Sequence, residues 1–266
     1  MMNFTLFKHE LFASLKLFII ILAVLMLYIV SVIYMYNPEM TDTLKKLTET
    51  MPEMMAAFGM TSIGDTLIEF LSTYLYGFLF MILPMVFSIM LANKLIMGYI
   101  DNGSMAYLIA TPNTRFKIVL TQALFLIISL FTLLAVTTLV MIVFAEVLFP
   151  NELDITALLL LNFGLFLLHF AISGFCFLMS CSTKDLRTSY AYSAGIPIAF
   201  YLIEALSNMG GSLDKLQYIT IYSLFDSVQL IQQNSSCWWM LGTLFFIGLL
   251  CYSLAIRFFV KRDLHL

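Results

Sequence analysis

Apolar runs about as long as a bilayer is thick alternate along this chain with short polar segments. A helix rises 1.5 Å per residue and the hydrocarbon layer is about 30 Å thick, so roughly 20 mostly apolar residues make one crossing. Six stretches meet that length, at about 17–36, 71–92, 118–145, 157–181, 190–206 and 238–259. The fifth is interrupted by Gly195, Pro197 and Glu204, and the second by Pro84. The pattern predicts an all-α integral membrane protein of six transmembrane helices, forming one domain over 1–266. The first run is too long for a cleaved signal peptide, and Tyr34, Met35 and Tyr36 stand where small residues precede cleavage.

The polar segments carry their own patterns. In 1–16, Phe4, Leu6, Phe7, Leu11, Phe12 and Leu15 recur at helical spacing among Lys8, His9, Glu10 and Lys16. This predicts an amphipathic helix, either lying on the membrane surface or extending the first span. In 37–66, Leu44, Leu47, Met51, Met54, Met55 and Phe58 share one face, opposite Asp42, Lys45, Lys46, Glu49 and Glu53, and Gly59 ends the pattern. A methionine-rich face that packs on the membrane domain accounts for it better than a copper(I) site of soft thioethers. The segment 207–237 contains Gly210-Gly211 and a second helical stretch.

The segment 93–117 is the most informative. Asn102-Gly103 is a turn dipeptide, and Ser104 is placed to cap a short helix over Met105 to Ala110. Pro112 ends that helix, because the residue before proline is pushed out of the helical region. Arg115 then follows at the membrane surface. A short helix on such a loop is a docking knob for a soluble partner.

Charge sets the orientation. Lysine and arginine stay on the cytoplasmic side of membrane proteins. With the N-terminus inside, the inner segments hold Lys8, Lys16, Lys94, Arg115, Lys117, Lys184, Arg187, Arg257, Lys261 and Arg262, which is ten of the thirteen basic residues. Lys45, Lys46 and Lys215 lie outside. Both termini and the 93–117 loop are therefore predicted to be cytoplasmic, and 37–66 and 207–237 external. Hydrophobic residues make up 62% of the 266 positions and charged residues 11%, against about 25% in soluble domains. This excludes one large soluble core. Cys176, Cys181, Cys237 and Cys251 are scattered, with neither disulfide nor metal spacing.

No catalytic or metal constellation is found. His169, with Ser173-Gly174 one turn on, is a polar group between helices or a cavity-lining residue, since ionisable groups in spans face the bundle interior. Asn162 and Gln122 are weaker cases of the same kind. Glu69, Glu146, Glu204 and Asp226 fall near outer helix ends, as solvated carboxylates or as an acidic vestibule favouring cations. Gly195 and Ala199 form a small-residue pair that allows close helix approach.

The 93–117 loop resembles that of the type-2 permeases of ABC transporters, the membrane subunits of many bacterial exporters. Those carry an acidic residue, then Gly-Thr or Gly-Ser, then a Leu-Leu-Ala-Thr-Pro-x-x-Arg-like run. Asp101, Gly103, Ser104, Tyr107, Leu108, Ile109, Ala110, Thr111, Pro112 and Arg115 match it. Members often place two or more acidic residues before the glycine, where this chain has Asp101-Asn102. The ending Phe258-Phe259-Val260-Lys261-Arg262-Asp263-Leu264 is similar to the family's Phe-x-x-Arg-Asp-Leu close, and Phe7-Lys8-His9-Glu10 to its elbow helix.

The resemblance implies an exporter of the bacterial cytoplasmic membrane with two permeases, this chain and a second copy or paralogue, and two separate ATPase subunits. Residues 104–110 would be the coupling helix, with Asp101, Gly103, Ser104, Met105, Tyr107, Leu108, Pro112 and Arg115 at the ATPase contact. The chain itself would hold no cofactor; ATP and magnesium would bind the partner. In agreement, it contains no Gly-x-x-x-x-Gly-Lys-Ser/Thr phosphate loop. Its partners are then the ATPase, the second permease and the bilayer, with no role for nucleic acid. The alternative is an ATP-independent channel or secondary carrier, but neither a filter sequence nor an internal repeat is visible.

Overall fold

In a computed structural model, residues 3–36, 50–57, 66–233 and 235–262 are described, and among them every regular element is helical. Helix α1 spans Phe4–Met35 and α2 Pro52–Ala57. The second apolar run is built from α3 (Leu67–Leu71), a π-helical turn (Ser72–Tyr76) and α4 (Leu79–Leu95). Two short helices follow, α5 (Met97–Asp101) and α6 (Ser104–Ala110). Then come α7 (Arg115–Leu148), α8 (Ile155–Ser182) and α9 (Leu186–Ser207). The 3₁₀ segments Gly211–Ile219 and Tyr222–Leu224 and the short α10 (Ser227–Ile231) lead into α11 (Ser236–Lys261). All six apolar runs are thus helices. Five are long and apolar enough to cross a membrane. The exception, α9, is 22 residues long but carries Glu204, Pro197 and several serines and tyrosines.

The amphipathic segment at 1–16 is not a separate helix. Its described residues are the first turns of α1, a continuous 32-residue helix with no break between Lys16 and Leu17. At 1.5 Å per residue it is about 48 Å long, well beyond the hydrocarbon layer. The face it buries is Leu6, Glu10 and Ser14, while Phe4, Leu11, Phe12 and Leu15 are exposed. The apolar residues point away from the protein, as lipid-facing side chains do. The predicted Met-rich helix falls mostly outside the described residues, which retain only α2.

Helix α8 sits at the centre, packing on α4, α7, α9 and α11, while α1 pairs with α7 and α4. The tightest crossing is α8 on α11. A Cβ at Gly248 would come within 2.4 Å of the Phe170 ring, and one at Gly174 within 3.1 Å of the Gly248 carbonyl. Small residues let backbones approach in lipid, where helices gain little from hiding apolar surface from one another.

Both prolines lie inside continuous helices. The second run breaks at Phe78 (φ −134°, ψ −68°), not at Pro84. A proline has no amide proton, so the carbonyl four residues earlier loses its partner. With no water in the bilayer core, that group must be met by protein. Pro84 orphans the carbonyl of Phe80, and His169 Nε2 lies 2.7 Å from that oxygen. Pro197 orphans the carbonyl of Ser193, and the Cys176 thiol donates to it at 3.4 Å. Both donors come from α8, on the same helical face. Two more residues continue the stripe: Ser173 bonds the Tyr252 hydroxyl at 2.8 Å, and Ser180 accepts the first amide of α5, from Met97, at 3.3 Å. The face His169, Ser173, Cys176, Ser180 therefore satisfies the irregular backbone of its neighbours and joins α8 to α11.

Candidate functional site

The first and last described residues, Asn3 and Arg262, lie at one end of the bundle, beside the 93–117 loop. The Asn3 amide donates to Thr121 Oγ1 at 2.9 Å, near the start of α7, and the Arg115 guanidinium donates to the Arg262 carbonyl at 2.8 Å. Arg262 in turn donates to the Cys181 carbonyl at 3.2 Å, at the end of α8.

Within the loop, α4 breaks at Ile96, α5 runs to Asp101, and the chain turns at Asn102-Gly103. Gly103 has φ +69°, the left-handed region that costs side-chain-bearing residues strain and glycine none. Gly103 is also the N-cap of α6, so Ser104 does not cap the helix as its sequence position predicts. It is the first helical residue, and its hydroxyl reaches back to the Tyr99 carbonyl at 3.3 Å. The left-handed glycine moves the helix start one residue earlier. At the other end Thr111 is extended (ψ 161°) ahead of Pro112, as expected.

The short helix has two unlike faces. Met105 is fully buried, and Leu108 and Ile109 are half-buried against the core. Tyr107 is 80% exposed, and Asp101, Gly103 and Pro112 are exposed with it. The loop thus holds a large aromatic side chain out from the bundle on a helix anchored from behind.

The anchorage is wide. Tyr99 donates its hydroxyl to Glu10 Oε1 at 2.6 Å, and Gln122 Nε2 donates to the same oxygen at 2.9 Å. Glu10 is fully buried, so this carboxyl ties α1 and α7 to the loop. Near the end of α4, Asn93 accepts from the Ser189 hydroxyl and donates to Ser193 Oγ at 2.7 Å, tying α4 to α9. Asp185 caps α9, and bonds from the Thr188 amide and hydroxyl hold its carboxyl below the usual range. Sequence reasoning missed Glu10, Tyr99 and Asn93. Glu10 looked like the polar side of an amphipathic helix, and only its position on the Leu6–Ser14 stripe hinted otherwise.

At the opposite end lies a cavity of about 340 Å³. Tyr76, Gly77 and Met81 of the second run, Tyr201 and Glu204 of α9, and Tyr222, Phe225 and Asp226 of the following segment line it. The predicted acidic group is not assembled there: Glu204 and Asp226 line the cavity, while Glu69 and Glu146 do not. Glu69 completes a capping box with Thr66, and Glu146 accepts the Asn151 amide at 3.4 Å. His169 does not line it either; the ring is fully buried and engaged with Phe80. Asn162 is buried too, donating to the Leu158 carbonyl at 3.1 Å. Among the described residues no group of acidic, cysteine and histidine side chains could hold a metal ion.

The loop, its ties to three spanning helices and the five apolar helices converge on one comparison. A family model described as ABC-2 family transporter protein matches residues 4–264. The chain belongs to this family. No curated protein and no solved structure matches it. As an ABC-2 family permease it is a multi-pass membrane protein and a transport component. Permeases of this family work with a separate ATP-binding subunit.

Proposed function

We propose that the chain is the membrane-spanning subunit of an ATP-driven exporter of the bacterial cytoplasmic membrane. A separate subunit binds ATP and magnesium, and a second permease copy or paralogue completes the pore. The six long helices are six spans, with α9 as the fifth. The end with both termini and the 93–117 loop faces the cytoplasm, supported by ten of the thirteen basic residues. The first turns of α1 stand in the elbow position. Helix α6 is the coupling helix.

One observation carries this reading: Tyr107 projects from a helix whose other face, at Met105, is fully buried. An exposed aromatic on a rigid support is the type of residue that dominates docking energy. Gly103 permits the turn that presents it, Pro112 ends the helix, Asp101 and Ser104 flank its entry, and Leu108 packs behind. Arg115 ties the loop to the C-terminal helix. Force applied at Tyr107 then reaches α1 and α7 through Tyr99 and Glu10, and α11 through Arg115.

The test is the permease-stimulated ATPase rate of the reconstituted complex. Tyr107→Ala is expected to lower that rate about tenfold, the effect of losing a hot-spot aromatic, while Tyr107→Phe keeps most of it. A rate unchanged in Tyr107→Ala would overturn the coupling role. Uphill transport by the permease alone, without ATP, would instead favour a secondary carrier.

A further inference from the structure

The cavity opposite the docking loop is a built pocket of aromatic and acidic groups. Tyr76, Tyr201, Tyr222 and Phe225 line it, and Tyr76 and Phe225 stack at 6.3 Å while Tyr201 and Tyr222 meet edge-on at 5.7 Å. Two carboxylates, Glu204 and Asp226, also line it. No lysine, arginine or histidine is among its described lining residues. Asp226 is engaged in capping α10 and in a bond from Gln229 Nε2. Among the described residues, Glu204 accepts from the Thr220 hydroxyl and from no other group.

The wall thus offers aromatic side chains and, among the described residues, a carboxylate with one oxygen unbonded. Aromatic faces and carboxylates both attract cations, and the attraction grows where water is excluded.

We infer that this cavity is a binding site for a small organic cation, an alkyl- or arylammonium. Glu204 pairs with the charge, and Tyr76, Tyr201, Tyr222 and Phe225 surround the alkyl groups. The volume, at the low end of ligand pockets, suits a molecule the size of benzyltrimethylammonium rather than a peptide or lipid. The inference names a ligand class for the permease. It does not need the ATPase, so its failure would leave the coupling role standing.

The test is calorimetric titration of purified, full-length protein in nanodiscs. Benzyltrimethylammonium is the probe, and benzenesulfonate the anionic counterpart. The cation is expected to bind and the anion not. Glu204→Gln should weaken cation binding about tenfold or more, the scale of one lost partly buried charge contact. Because Glu204→Gln also alters the Thr220 bond, Tyr201 supplies an independent pair. Tyr201→Phe should retain binding, and Tyr201→Leu should weaken it by about threefold to tenfold. Equal affinity for cation and anion would overturn the inference. So would cation binding that neither Glu204→Gln nor Tyr201→Leu changes.

Discussion

His169 and Pro84 illustrate how a residue's role depends on a partner far away in the chain. Taken alone, a histidine in a span is a polar group between helices or a cavity-lining residue. In the structure it meets the one carbonyl that Pro84 leaves bare, Phe80, at 2.7 Å. The pairing predicts a specific energetic pattern. His169→Ala should destabilise the protein by about 1–2 kcal/mol, the range for an orphaned buried acceptor. In a Pro84→Ala background, the alanine amide can restore the bond to Phe80, so His169→Ala should cost distinctly less. Thermal unfolding of the four proteins in detergent completes the cycle. Additive effects would show that the histidine does not serve that carbonyl.

Among the elements, the α8–α11 pair depends on two glycines facing each other. A methyl group at Gly248 has nowhere to go: the Phe170 ring is packed against Phe166, Phe245 and Tyr252, and the Ala171 backbone lies 3.3 Å away. Gly248→Ala should therefore separate the two helices and lower stability by about 1–3 kcal/mol, as overpacking does. Gly242→Ala is the control, because nothing lies within 4 Å of a Cβ there. Equal thermal midpoints for Gly248→Ala and Gly242→Ala would refute the close crossing. The α5–α6 loop obeys the opposite logic. It gains rigidity from polar ties to α1, α7 and α11 rather than from close approach.

For the molecule as a whole, the two ends have different chemistry. One gathers Asn3, Arg262 and the short helix that exposes Tyr107; the other holds a cavity lined by acidic and aromatic side chains. The proposed orientation predicts which end faces the cytoplasm. The four native cysteines are buried, so a cysteine introduced at an exposed site dominates labelling by a membrane-impermeant maleimide. In intact cells Tyr218→Cys, at a site 84% exposed beside the cavity segment, should label, whereas Tyr107→Cys should label only after lysis. The reverse pattern would invert the topology and remove the docking role.

The six helical runs and the turn before α6 were legible in the sequence alone. These follow from local physics: apolar run length, proline and glycine geometry, and the cost of burying charge. The sequence also carried the family's loop pattern. Pairings between residues distant along the chain emerged only with the packing of the helices. Glu10 meets Tyr99 and Gln122, His169 meets Phe80, Cys176 meets Ser193, and Glu204 shares a cavity with Asp226 rather than with Glu69 or Glu146. The continuity of α1 belongs with them. A polar stripe on a helix looks the same in sequence whether it faces water or a neighbouring helix, and only the packing partner tells them apart.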